Sequence, residues 1–277
     1  MVSPTPQKTP LYPSRAWNGR FREYSGRRLR LPQSELHPIG NSVSGLRGDR
    51  VKLGIIGTGN MGRTLGVLWS ECGHDVFFGS REPDTAKNAA HLTGDKARFG
   101  SNDEAAAFGE VLLYGIRSVP PSQVLGSSDS LIGKPLIDCN NREIPDGFEF
   151  GPMLDKSLAE TLQEQAPESF VVKAFNTLSM EVFEHAPHAI RQHGVSVYIS
   201  GDERSERRTV SSLVEDLGLV PVDCGNLRAA RMLEATGDFI RFLMMGAGRG
   251  SYATISVRDL PPVSQPRLGG RKPSALK

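Results

Sequence analysis

The sequence predicts an α/β fold: a doubly wound parallel sheet of the Rossmann type, with helices on both faces, a small C-terminal α/β addition and disordered termini. Three observations predict it. Short apolar runs alternate with stretches of helical apolar spacing from Val51 to about Met245. The first run breaks into a glycine-rich loop that opens a helix. Later runs turn abruptly polar at their carboxyl ends, where sheets of this class hold ligands.

Val51 to Ile56 reads as a strand that enters Gly57-Thr58-Gly59-Asn60-Met61-Gly62. Met61 to Cys72 has helical spacing, and Val76 to Phe78 is a second strand ending in Gly79-Ser80-Arg81. Strand, glycine loop, helix and strand in that order form a dinucleotide-binding unit. Gly57 permits the tight turn, Gly59 lets the backbone approach a pyrophosphate, and Gly62 lets the helix pack close to the strand. The phosphates would meet the free N–H groups of the helix N-terminus. NAD enzymes usually place Asp or Glu after the second strand for the ribose 2′-hydroxyl, and this chain has Ser80 and Arg81 there. A carboxylate repels a 2′-phosphate, whereas a hydroxyl and a guanidinium bind it, so the expected cofactor is NADP. Asp75 opens that strand and is at the wrong end to replace the acid.

Pro83 starts a helix to about Leu92, and Lys96 to Phe99 reads as a short strand. Ser101 with Glu104 reads as a capped helix start. Glu110 to Ile116 is a buried strand, followed by a Pro120-Pro121 turn and a short helix to Leu125. Lys134 to Asp138 and Phe170 to Phe175 are further strands, with a helix over Ser157 to Gln165 between them. Val195 to Ser200 begins a second unit, in which Gly201-Asp202 caps a helix from Glu203 to Leu217. Leu219 to Asp223 is its strand, and one long helix covers Leu227 to Met245. The expected division is a basic leader over 1–50, an NADP-binding domain over 51–180, a substrate or dimer subdomain over 181–250 and a tail over 251–277.

Residues 1–50 hold nine basic and three acidic residues, a charge of +6, so the remainder carries −4 of the overall +2. A mildly acidic body gives no case for nucleic-acid binding. The leader, rich in Pro, Ser, Gly and Arg, reads either as an organellar transit peptide or as a start placed too far upstream. No stretch approaches the ~20 apolar residues of a membrane span. Cys72, Cys139 and Cys224 have neither paired nor metal-like spacing and suit buried positions in a reducing compartment. His185 and His188 share a helical face but lack a third ligand, so no metal is expected.

The carboxyl-end rule selects Ile116-Arg117-Ser118, Asp138 to Asn141, and Ala174 to Thr177. Asn140, Asn141, Asn176 and Thr177 are uncharged donors and acceptors suited to a carboxamide or a flavin-like ring, or they cap helices and turns.

GTGNMG, then GSR, then VVKAFNT, then DCGNLRAARMLE, together resemble the F-420-dependent NADP oxidoreductase family over about Val51 to Gly248. The same module is similar to the NADPH-binding domain of six-span metalloreductases. The resemblance implies hydride transfer between NADP(H) and coenzyme F420, a 5-deazaflavin. It implies that Thr58, Gly59, Asn60 and Met61 wrap the pyrophosphate and ribose and that Ser80 and Arg81 hold the 2′-phosphate. Thr85 falls where relatives have a further phosphate contact, often Lys, while Lys87 is two residues away. Ala174 and Leu227 would border the nicotinamide. Arg117-Ser118, where the family continues with proline, and Asp138 to Glu143 depart from the pattern on the acceptor side.

The leading expectation is an NADPH-dependent oxidoreductase that passes hydride to a deazaflavin (coenzyme F420) or flavin-like co-substrate. Alternatives are a ferric or flavin reductase, an imine or hydroxyacid reductase, and a non-catalytic NADP-sensing protein. No acid–base residue is assigned, because hydride transfer between two rings depends on orientation and desolvation. The expected state is a cytoplasmic homodimer with neither membrane nor nucleic-acid partner; if residues 1–50 are a transit peptide, a plastid or mitochondrion is the location.

Overall fold

The computed structural model describes residues 50–144 and 154–261. The expected leader up to residue 49 and the expected tail from residue 262 lie outside the described residues. Among the described residues eight strands form one sheet in the order β3-β2-β1-β4-β5-β6-β7-β8. They are β1 Lys52–Ile56, β2 Asp75–Gly79, β3 Arg98–Gly100, β4 Val111–Tyr114, β5 Pro135–Asp138, β6 Phe170–Lys173, β7 Ser196–Gly201 and β8 Val220–Asp223. β1 pairs in parallel with both β2 and β4, so the direction of winding reverses between β1 and β4. A crevice opens at the carboxyl ends of such a pair.

The helices are α1 Asn60–Glu71, α2 Pro83–His91, α3 Asn102–Phe108, α4 Leu158–Gln165, α5 Pro187–His193, α6 Arg204–Asp216 and α7 Ala230–Arg241. β4 and β5 are short and buried on both faces, as are β1 after Lys52 and β6 after the half-buried Phe170, as parallel strands between helical layers require; β2 is half-buried at Asp75 and Phe77, and β3 is exposed at Arg98 and Phe99. Ser101 and Ser157 each close a capping box with Glu104 and Glu160, which fixes where α3 and α4 begin. α1 buries Leu65 and Trp69 on one face of the sheet. α4 buries Ala159 and Leu162, and Leu227 and Ala230 join them on the other face.

The C-terminal addition is not a separate layer. β7 extends the same sheet and runs antiparallel to β6, and β8 then runs parallel to β7. Trp69, fully buried in α1, donates its indole N–H to Leu213 O of α6 at 3.0 Å and packs edge-on against Phe175 with ring centroids 5.8 Å apart. Burial of a side chain of this size contributes roughly 1.5–3 kcal/mol, so the two parts share a core.

Four local expectations change. α6 is preceded by Glu203, without a side-chain cap, and Asp202 instead accepts from Leu227 N at 3.0 Å. The long last helix is divided into a 3-10 turn over Leu227–Ala229, α7, and a π-turn over Phe242–Gly246. Cys72 is exposed, Cys139 is buried and Cys224 is half-buried. The tail does not begin at 251, because residues 251–261 lie along β7 without regular structure. There Val257 N donates to Ser196 Oγ at 3.2 Å and Tyr198 donates its hydroxyl to Ile255 O at 3.2 Å.

Candidate dinucleotide and acceptor site

Gly57 leaves β1 with a φ of +89°, a conformation that a side chain resists, and a Cβ there would lie 2.4 Å from Ile116 Cγ1. A Cβ on Gly62 would lie 2.4 Å from Gly57 O, so glycine is what lets α1 approach the loop. Gly59 differs: nothing lies within 4 Å of where its Cβ would point. Gly59 and Asn60 are exposed and Met61 is half-buried. α1 has neither an acidic residue in its first turn nor a side-chain cap. Its N-terminal N–H groups and positive dipole end are therefore left for an anion.

Thr58 is the exception within the loop. Its hydroxyl donates to Gly79 O at 2.8 Å and is buried, so it fastens β1 to β2 and offers a ligand only its backbone. Asn102 Oδ1 accepts from Gly57 N at 3.1 Å, a second brace from α3.

Ser80 Oγ accepts from Glu82 N at 3.1 Å, which leaves its own proton to donate. Arg81 is exposed and has no hydrogen-bond or ion-pair partner among the described residues. Thr85 and Lys87 are both exposed on α2. Asp75 sits at the opposite end of β2 and pairs with Arg50. A hydroxyl, an unpaired guanidinium and a helix N-terminus thus stand at the carboxyl ends of β1 and β2, and Asp75, at the far end of β2, does not replace the missing ribose ligand.

The three selected strand ends meet beside this loop. Gly115 N donates to Ile56 O at 2.8 Å, which brings Ile116 against Gly57, and Arg117 is exposed after it. Asn140 Nδ2 donates to Tyr114 O at 2.9 Å, joining the ends of β5 and β4. Asn176 is buried; its Nδ2 donates to Asn141 Oδ1 at 3.0 Å and to Leu233 O at 2.8 Å, while its Oδ1 has no partner among the described residues. Ala174 is fully buried, and its N–H donates to Asp138 O at 3.1 Å. Asn176 and Ala174 therefore shape the wall of the cleft from behind.

Leu227 is placed otherwise than the resemblance implied. It is buried against Asp202, at the end of β7. Since β7 runs against β6, with Gly201 opposite Val172, its end lies toward the amino ends of the parallel strands. Leu227 lines a hollow of about 390 Å³ there with Glu160, Asp202 and Arg231, on the edge of the sheet away from the glycine loop.

Sequence reasoning missed a buried ionic group behind the cleft. Lys173, Asp138 and Glu234 are all essentially inaccessible, and the Lys173 ammonium lies 2.9 Å from Asp138 Oδ2 and 2.7 Å from Glu234 Oε1. Burial opposes its charge, but the two carboxylates outweigh burial and hold its pKa above the ordinary lysine value. The available signal was one lysine inside the apolar run FVVKAF. A second group follows: Asp238 pairs with Arg142 and Arg241, and Arg241 also donates to Arg142 O at 2.8 Å. Burial, with the Asp138 charge adding to it, pushes the Cys139 thiol up to about 12 and likewise raises Tyr114, so neither offers an anion at neutral pH. Among the described residues no group of three His, Cys, Asp or Glu is placed to hold a metal ion. His185 packs against the Tyr252 ring, with centroids 5.1 Å apart.

The sequence model of the family described as NADP oxidoreductase, coenzyme F420-dependent, matches residues 52–142. These residues contain the glycine loop, Ser80, Arg81 and the ends of β4 and β5. Over these residues the chain is similar to the F420-dependent NADP oxidoreductase family. An F420-dependent NADP reductase of Methanothermobacter marburgensis is 27% identical over 232 residues, covering 76% of this chain and 100% of that one. Metalloreductase STEAP3 of Rattus norvegicus is 32% identical over 184 residues, covering 66% of this chain. The chain spans about a third of the length of the curated metalloreductases it matches, 36% for the rat protein. A crystal structure from Arthrobacter sp. FB24, assigned as an F420-dependent NADP-reductase, superposes with a TM-score of 0.64 at 23% identity, covering 76% of this chain and all of the other. An imine reductase of Myxococcus stipitatus superposes with a TM-score of 0.51 at 17% identity. At those identities the likeness concerns the fold.

Proposed function

We propose that this chain is an NADPH-dependent oxidoreductase that passes hydride between NADP(H) and a deazaflavin or flavin-like co-substrate. One observation supports it above the others: the glycine loop ends β1 beside Ser80 and an unpaired Arg81, with open space at Gly59, and Ser80 and Arg81 stand directly after β2 where a ribose-binding acid would. The residues present suit NADP. The α1 N-terminus and Gly59 would hold the pyrophosphate, Ser80 and Arg81 the 2′-phosphate, and Ile116 and the Asn140 turn the nicotinamide end. Thr85 offers a hydroxyl, a weaker phosphate contact than lysine. The bound cofactor supplies the hydride, and the protein supplies orientation and exclusion of water.

The likeness to metalloreductases supports ferric chelates as a second acceptor class. Exposed Met232 and Phe239 on α7, with Met245 after it, support a homodimer. Three free cysteines support a reducing location such as the cytoplasm. Among the described residues no helix is long and apolar enough to cross a membrane. Turnover of NADPH against coenzyme F420, FMN, FAD and ferric citrate tests the activity. Reduction of a deazaflavin or flavin is expected; reduction of ferric citrate alone would move the chain to the metalloreductase reading, and tight NADPH binding without turnover would make it a sensor.

A further inference from the structure

Lys173 puts a charge where an apolar strand needs none. It is fully buried, and all three of its ammonium donors are used: on Asp138 Oδ2 at 2.9 Å, Glu234 Oε1 at 2.7 Å and Asn140 O at 2.5 Å. None of them reaches the cleft. Glu234 is held in turn by α4, since Leu158 N donates to its Oε2 at 3.0 Å and Ala159 N to its Oε1 at 3.3 Å. Those two N–H groups begin α4, so the helix N-terminus offsets the net negative charge of Asp138, Lys173 and Glu234. A buried ionic group of this kind adds little net stability, but it admits few other geometries.

The Asn140 turn is what this group fixes. Asn140 N and Nδ2 both donate to Asp138 Oδ1, at 2.9 and 2.8 Å, and Nδ2 also donates to Tyr114 O at 2.9 Å. With Nδ2 facing two acceptors, the side-chain amide has one orientation: reversing it would set oxygen against oxygen twice. Asn140 Oδ1 has no partner among the described residues, and the residue is half-buried at the strand ends that border the glycine loop. It presents an acceptor and nothing else.

We propose that Lys173 is a positioning residue that, by gripping the Asn140 carbonyl and the Asp138 carboxylate, fixes Asn140 Oδ1 as the acceptor for the carboxamide N–H of the nicotinamide. The proposal rests on the NADP reading above. It separates two ends of one ligand: Arg81 and the α1 N-terminus serve the phosphate half, and Lys173 serves the nicotinamide half through Asn140.

The test compares NADPH with 2′-phospho-ADP-ribose, which has every phosphate but no nicotinamide. Four full-length proteins are titrated with each: the natural chain, Asn140→Ala, Lys173→Met with Glu234→Gln, and all three changes together. Pairing Lys173→Met with Glu234→Gln keeps the charge of the buried group unchanged, and the thermal midpoint reports whether the fold survives. Asn140→Ala is expected to weaken NADPH about tenfold and to shift the emission of the bound nicotinamide, the scale of one lost polar contact. The Lys173–Glu234 pair variant reproduces both effects, the triple variant is no worse than either, and 2′-phospho-ADP-ribose binds all four alike. Losses that add in the triple variant, or equal loss of 2′-phospho-ADP-ribose in the pair variant, would show that Lys173 supports the fold at large and overturn the proposal. A pair variant too unstable to titrate would do the same, unless Asp138→Asn reproduces the Asn140→Ala pattern. If the natural chain binds neither ligand, the NADP reading itself falls and takes this inference with it.

Discussion

Arg81 and Gly59 act on the same ligand by different physics. Arg81 has no internal partner, so truncation leaves nothing buried and unpaired. Arg81→Ala should therefore keep the melting temperature while weakening NADPH by about 1.5–3 kcal/mol, roughly ten- to a hundredfold, with NADH little changed. Equal losses for both dinucleotides would remove the 2′-phosphate contact from Arg81. At Gly59 the added atoms of valine would occupy space open to the ligand, so Gly59→Val should abolish NADPH binding in a protein that still folds. The placement of both residues at strand ends was legible in the sequence, because the glycine spacing and the apolar run before Ser80 mark where β1 and β2 stop. Thr58, Asn176 and Leu227 were not. The pattern marks their position in the chain, but whether a side chain turns toward ligand or core is decided by partners far away in sequence: Gly79, Leu233 and Asp202.

At the level of elements, the start of α4 concentrates several interactions in one turn. Ser157 Oγ accepts from Glu160 N at 3.1 Å, and Glu160 accepts from Arg231 of α7 at 2.7 Å. Ser157→Ala should cost about 1 kcal/mol in chemical denaturation; no measurable change would mean that Glu234 alone caps the helix. Hydrogen bonds from Arg231 hold the Glu160 carboxyl down at about 2, below its ordinary 4.5. A lowered carboxylate pKa stabilises the fold above the ordinary value and ceases to do so as pH falls through the lowered one. Arg231→Ala should accordingly lower the melting temperature at neutral pH, and the gap from the natural chain should close between about pH 4.5 and about pH 2. A gap that stays constant over that range would show that packing, not charge, joins α4 to α7. Strands and capped helices were legible because apolar period and capping boxes are local signals. The break of the last helix at Phe242 was not, since continuous helical spacing runs through LMMG, and neither was α5, a seven-residue helix with little apolar period.

Among the described residues the molecule is built on one eight-stranded sheet, and its addition shares the core through Trp69 and Leu213. The Rossmann order was legible up to β6. The reversal of β7 was not, because a buried antiparallel strand between two neighbours leaves the same apolar run as a parallel one. The segment over 251–261 is bonded to β7 at Ser196 and Tyr198, so ending the chain at 251 should lower the melting temperature, while ending it at 261 should leave it unchanged. Removing residues 1–48 should leave NADPH binding intact. A loss of binding on that removal would place part of the site in the leader.

The ratio of the NADPH and NADH dissociation constants of the natural chain, titrated at one ionic strength, tests the dinucleotide site most directly. With Ser80 and an unpaired Arg81 at the end of β2, NADPH should bind tighter by about tenfold or more. Equal affinity for the two would contradict the assignment of that strand end to a 2′-phosphate, and with it the NADPH-dependent function.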